Sequence, residues 1–301
     1  MNQRLKADLA LGFCSLIWGA TFVVVQKALV GASVFAFMAA RFTLAALLMA
    51  AIFLAALRKV RREEIRAGAL IGVFMFAGYA LQTFGLRWTT PTKAGFITGI
   101  SVVLVPVLLA AFWGRKITAW VWTGALAALV GLYFLTVPAG EIGAALAALN
   151  FGDLLVLGCA VMFALHIILV GQYSPRYSVG ALSFLQVATT AVFSIAAVGV
   201  FSATELESPR FELSTAVVSA VLITAVGATA IAFSIQVWAQ KHTTATHTAI
   251  LFSLEPVFAA LTSFVVIGER LGGRALLGAG LVLAGILLAE LKGPTPAPPE
   301  G

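Results

Sequence analysis

Apolar residues run along this chain in long blocks, without the polar face that recurs every few residues in a soluble amphipathic helix or strand. Charges, prolines and glycines cut these blocks into ten runs. They lie near 8–27, 33–57, 67–87, 93–113, 117–137, 152–171, 179–201, 214–238, 244–267 and 272–291. Each is close to the roughly 20 residues that a helix needs to cross the hydrocarbon core. The pattern therefore predicts an all-α integral membrane protein. Connections are short except at 138–150 and 202–214, and the Pro-rich end "KGPTPAPPEG" has no apolar surface to bury. Only Met1 to Leu5 precede the first run and no cleavage-site pattern follows it, so that run reads as a retained span.

Composition agrees: 61% of residues are hydrophobic and 10% charged, against about half and a quarter in soluble domains. Ten spans return both termini to one side, and the positive-inside rule makes that side the cytoplasm. Twelve of the nineteen Lys and Arg residues then face inward and six outward, with Arg41 inside a span; "RKVRREEIR" at 58–66 dominates the bias. The net charge of +7 is thus a topology signal and a contact for anionic lipid, not a nucleic-acid footprint.

The chain also repeats itself. A shift of 145 lays Asp8 on Asp153 and Cys14 on Cys159. A shift of 154 lays Gln82 on Gln236, Arg87 on Lys241, Thr89 and Thr90 on Thr243 and Thr244, Lys93 on His247 and Gly114 on Gly268. Each half holds five spans, an odd number, so the second half enters the membrane inverted relative to the first. Inverted repeats of this sort mark secondary transporters, with the substrate site near the midplane between the halves. The expected units are a first repeat at 1–138, a connecting loop at 139–151, a second repeat at 152–291 and a tail at 292–301. Pro106 falls opposite Ala260, four residues from Pro256, which predicts bends one turn apart in the fourth and ninth spans.

Helical spacing sorts the remaining side chains by face. Span 1 aligns Cys14, Trp18, Phe22 (or Thr21) and Val25; span 6 aligns Cys159, Phe163 and His166 or Ile167. Span 3 offers Tyr79, Gln82 and Leu86, and span 8 offers Phe233, Gln236 and Gln240. Span 4 offers Lys93, Ile97 and Ser101, and span 9 offers His247, Leu251 and Glu255. Aromatic rings with sparse polar groups would line one slot, the chemistry of a small-molecule pocket. Glu255, deep in an apolar run, must face protein or water, either to meet substrate or protons or to make a structural hydrogen bond. Lys93 and His247 start helices at opposite faces, where each would act as a gate residue or anchor a helix end. Pro106 and Pro256 are candidate hinges. Cys14 and Cys159 read as small packing residues. Gly68 with Gly72 and Gly95 with Gly99 form G-x-x-x-G steps for close helix packing.

Trp18-Gly19, "ARFTLAALL" in the second span and "LEPVFAALTSFVVIGERL" in the ninth together resemble the EamA-type drug/metabolite transporter superfamily, over nearly the whole chain. The specific part is Glu255-Pro256 followed by Gly268-Glu269-Arg270; the first half has Gly114-Arg115-Lys116 instead, a departure that leaves its own motif degenerate. Within the superfamily the chain resembles bacterial exporters of amino acids, aromatic ones included. The resemblance implies ten helices as two inverted five-helix repeats, with spans 1, 3, 4, 6, 8 and 9 around a central cavity. It also implies alternating access and export across the bacterial inner membrane. With span 2 expected outside that ring, Arg41 is expected to have a structural partner or a packing role rather than to contact substrate.

The alternative is a proton-coupled efflux pump for cationic drugs, for which Glu255 and aromatic rings would serve equally. Proton coupling and oligomeric state stay open. An enzyme would need a nucleophile beside a base, or paired carboxylates; the spans offer neither, and no P-loop occurs. Three histidines and two cysteines without paired spacing imply no metal and no cofactor.

Overall fold

The computed structural model describes residues 2–89, 91–137, 150–267 and 272–292. The side chains at 22, 23, 91–93, 136, 263–267 and 290–292 lie outside that description, as does the Gly268-Glu269-Arg270 motif. The expectations for Phe22 and Lys93 fall there too, with most of the connecting loop and the tail.

The described residues are helical: α1 Gln3–Ala28, α2 Val34–Ile52, α3 Leu54–Leu57, α4 Arg62–Gly85, α5 Pro91–Gly99, α6 Ser101–Trp113, α7 Ala119–Thr136, α8 Phe151–Tyr173, α9 Val179–Ala203 and α10 Thr215–Ile223. A π-helical segment, Thr224–Ile231, joins α10 to α11, Ala232–Ala239. Then follow α12 Ala245–Phe252, α13 Leu254–Ile267 and α14 Gly273–Lys292. Extended pairing among the described residues is one isolated bridge, Ala32 with Phe211. Eight stretches are long and apolar enough to cross a membrane, counting Ala94–Trp113, Thr215–Ala239 and Ala245–Thr262 each as one. The runs expected at 117–137 and 272–291 give shorter apolar helices, Ala119–Leu135 and Gly273–Ala289.

Helix starts follow local side-chain chemistry. Asn150 and Asp153 form a capping box at α8, while Ser214 and Thr244 accept from the backbone of Val217 and His247 to cap α10 and α12. Large apolar side chains point outward, Phe112 at 75% and Val192 at 65% exposure, as a surface solvated by lipid requires.

Small residues set the close approaches. On the α7–α14 seam a Cβ on Gly131 would stand 2.6 Å from the Gly278 carbonyl, and Gly124 and Gly285 meet in the same way. Gly68 and Gly72 of α4 receive Leu185, Thr189 and the Gln186 carbonyl of α9. Gly99 faces Leu132, as a packing step should, but Gly95 has no neighbour that a Cβ would meet. The Gly95–Gly99 step is thus half packing and half open space.

The fourth and ninth apolar runs are each interrupted once. Ile100 and Ser253 donate their backbone N–H to the carbonyl three residues back, Ile97 and Ile250, a tightened turn between two helices. The 154-residue shift carries Ile100 to Leu254, beside Ser253, so the interruptions coincide instead of lying one turn apart. Pro106 sits buried inside an uninterrupted α6. Pro256 lacks an N–H for the Phe252 carbonyl, and the Ser253 hydroxyl donates to the Ile250 carbonyl, which also accepts from the Ser253 backbone N–H.

The connectors sort to two ends. At one, Glu207 accepts from Val34 N (3.0 Å) and Phe35 N (3.1 Å), capping α2, and pairs with Arg87. At the other, Glu64 accepts from Ser178 N (2.9 Å) and Lys241 donates to the Tyr177 carbonyl (2.8 Å).

Candidate functional site

Both interruptions open onto one central cavity of about 120 Å³, room for several waters or one small solute. Ser101 and Thr98 flank the first break on its wall; Phe252, Ser253, Glu255 and Pro256 form the wall at the second. From α1 come Trp18, Thr21 and Val25, from α4 Tyr79 and Gln82, from α8 Phe163 and His166, and from α11 Phe233 and Gln236. These are the six spans expected around the centre. Arg41 of α2 joins them.

The aromatic rings interlock. Trp18 meets Phe252 edge-on at 4.9 Å and Phe233 at 5.4 Å; Tyr79 meets Phe163 edge-on at 5.2 Å. His166 Nε2 lies 2.8 Å from Gln186 Oε1 and its ring abuts Phe233 edge-on. Gln82 donates to Thr98 Oγ1 (3.1 Å). Its repeat partner Gln236 donates to Gln240 (3.0 Å), which donates in turn to the Ile167 carbonyl (2.9 Å). Gln236 Oε1 has no hydrogen-bond partner among the described residues.

Glu255 borders the cavity with no hydrogen bond or ion pair among the described residues, so the structural hydrogen bond left open in the sequence is absent there. Its backbone does the packing. A Cβ on Gly19 would stand 2.5 Å from the Glu255 carbonyl and 2.9 Å from Ala259 N, which is why α1 carries glycine after Trp18.

Several expected residues lie elsewhere. Ile97 packs with Ala94 and Val156, and Leu251 with Ala7, Leu11 and Ala239; neither borders the cavity. His247 is buried at the start of α12 with Nε2 3.1 Å from Asp8 Oδ1, a contact that ties α12 to the first turns of α1. On the opposite side of the repeat, Thr89 bonds Asp153, the residue matched to Asp8. Cys14 is buried and donates to the Ala232 carbonyl (3.4 Å), and Cys159 is buried beside Thr98, as packing residues should be. Arg41 has the structural partners expected of it, Thr229, Tyr79 and the Ala228 carbonyl, but it also borders the cavity, which a helix outside the central ring was not expected to reach. Among the described residues no group of three His, Cys, Asp or Glu side chains is placed to hold a metal.

A second cavity, bounded by Gln26, Ser33, Arg87, Glu207 and Arg210, shares Thr83 and Leu86 with the first. It lies among the connectors following α1, α4 and α9.

Eight span-length apolar stretches among the described residues, with an internal, partly polar cavity between seven of them, suit a multi-pass membrane transporter. The chain is a member of the EamA-like transporter family, which it matches over residues 5–137 and 150–291. It is 38% identical to an uncharacterized transporter of Archaeoglobus fulgidus, over 96% of this chain and 87% of that one. It is 26% identical to the uncharacterized transporter YetK of Bacillus subtilis, over 73% of this chain and 66% of that protein. A solved crystal structure shares the fold with a TM-score of 0.76 at 20% identity, covering 95% of this chain and 98% of the other.

Proposed function

We infer that this transporter exports amino acids and related metabolites, aromatic and other neutral ones favoured, by alternating access across a bacterial inner membrane with both termini cytoplasmic. In this reading the two shorter apolar helices, α7 and α14, complete ten spans in two inverted repeats, 1–138 and 152–291. Trp18, Tyr79, Phe163 and Phe233 form the apolar wall for a side chain, while Gln82, Ser101, His166, Gln236 and Glu255 orient its polar end. The interrupted helices supply the hinge, with Pro256 beside one break.

The observation that carries this reading is Glu255: a carboxyl group on the wall of an aromatic cavity, with no hydrogen bond or ion pair among the described residues, suits a ligand ammonium group. Efflux of radiolabelled phenylalanine and threonine from proteoliposomes, with a cationic dye in parallel and each with and without a pH gradient, tests it. Amino-acid flux is expected. Dye flux that requires the gradient, with no amino-acid flux, would establish the proton-coupled drug pump instead. The same carboxylate and rings favour that second reading, but Arg41 on the cavity wall opposes a purely cationic cargo.

A further inference from the structure

We propose that Arg41 is the carboxylate-binding residue of the central cavity. The inference rests on the amino-acid reading and deepens it, since it makes the preferred cargo one that carries both a carboxylate and an ammonium group.

Arg41 is 5% exposed and borders the cavity from α2. Its Nε donates to Thr229 Oγ1 (2.8 Å), and its Nη2 to the Ala228 carbonyl (3.3 Å) and Tyr79 Oη (3.4 Å). All three acceptors are neutral. Phe42 and Tyr79 cover the guanidinium at 5.1 and 4.9 Å from their ring centroids. The described residues supply no ion pair to Arg41, and none within 4.0 Å joins it to Glu255, which borders the same cavity.

A guanidinium stays protonated and has five N–H donors in a planar fork, of which these three bonds leave the Nη1 pair to spare. Buried without a counter-charge, such a group carries an uncompensated desolvation cost. A ligand carboxylate supplies the charge and fits the fork. The protein holds the fork in place rather than neutralising it. The Ala228 carbonyl, in the π-helical segment, accepts from Arg41 and from Trp18 Nε1 (2.9 Å), and so couples the cation to the aromatic wall. A cation at Arg41 and a carboxyl group at Glu255, with no ion pair between them among the described residues, form the two poles a zwitterion needs.

The test uses the purified full-length chain in nanodiscs and calorimetric titration with three ligands sharing one ring: phenylalanine, 3-phenylpropionate and phenethylamine. The wild type is expected to bind both carboxylates. Arg41→Gln should weaken them by about tenfold or more, the scale of a charged hydrogen bond, while phenethylamine shifts by less than about threefold. Arg41→Lys should recover part of the loss. A wild type that ignores both carboxylates overturns the proposal. Equal weakening of all three ligands by a folded Arg41→Gln also overturns it, leaving Arg41 as a support of the π-helical segment. If Arg41→Gln fails to fold, the wild-type titration with 3-phenylpropionate decides alone: binding supports the proposal and no binding overturns it. Carboxylate binding without amino-acid flux would sink the export reading and leave this assignment standing. Amino-acid flux and binding unchanged in Arg41→Gln would do the reverse.

Discussion

At the scale of single residues, the wall beside Glu255 is set by two neighbours on α1. Trp18 donates to the Ala228 carbonyl, and Gly19 lets the α13 backbone approach. Glu255→Gln should cut amino-acid flux by about tenfold or more at unchanged yield, because a neutral amide replaces a charged acceptor; flux at the wild-type level in proteoliposomes would refute that role. Gly19→Leu should prevent correct assembly, seen as loss of the monodisperse peak on size exclusion, since the atoms it meets are backbone and cannot swing aside. Glu255 and the aromatic residues were legible in the sequence, because a carboxylate in an apolar run has few places to go. Arg41 was legible as an anomaly but not in its direction: depth along a helix follows from counting, whereas facing depends on how α2 packs. Ile97 and Leu251 were misplaced for a related reason. A tightened turn advances each residue by more than the α-helical angle, so a stripe drawn through Ile100 or Ser253 loses its register. Along the fourth run Gly95, Thr98 and Ser101 line the cavity at steps of three, with Gly99 beside them.

At the scale of elements, glycine seams and interruptions are the determinants. On the α7–α14 seam, Gly131→Ala places a methyl against the Gly278 carbonyl and should cost about 1–3 kcal/mol, read as a lowered unfolding temperature in detergent. Gly95→Ala, with open space before it, should leave that temperature unchanged and act on transport alone. The α11–α12 connector has a titrating group. Burial pulls the Lys241 ammonium below its ordinary value of 10.5, with Glu64 pulling the other way. The folded state therefore binds fewer protons than the unfolded one just below that pH, and stability from this group rises as pH climbs through the window. Lys241→Met should flatten that rise in a thermal-shift series between pH 8 and about 10.5. Helix existence was readable from run length, but the π-helical segment was not: Gly227 in "TAVGATAI" is one of many glycines within the runs and does not single it out, and in the structure the Ala228 carbonyl there accepts from Trp18 and Arg41.

At the scale of the whole molecule, the central cavity and the one bounded by Arg87 and Glu207 share Thr83 and Leu86, and the second lies among the connectors following α1, α4 and α9, so the proposed export predicts that this is the side on which the cavity opens outward. In a variant with Cys14 and Cys159 replaced, Thr83→Cys should label with a membrane-impermeant thiol reagent from the periplasmic side, and substrate should slow the labelling. Labelling from the cytoplasmic side alone would reverse the orientation. The sequence by itself determined the membrane setting and the apolar runs, because bilayer thickness and helical rise convert run length into helices; which spans supply the cavity came from the family resemblance, and Arg41 adds the second span to them. Only the tertiary structure decided the coincidence of the two interruptions, the inward turn of Arg41 and the pairing of His247 with Asp8. Those depend on the rotation of each helix about its axis, and in a chain apolar on nearly every face no amphipathic pattern records that rotation; small residues and buried polar groups fix it only once the neighbours are in place.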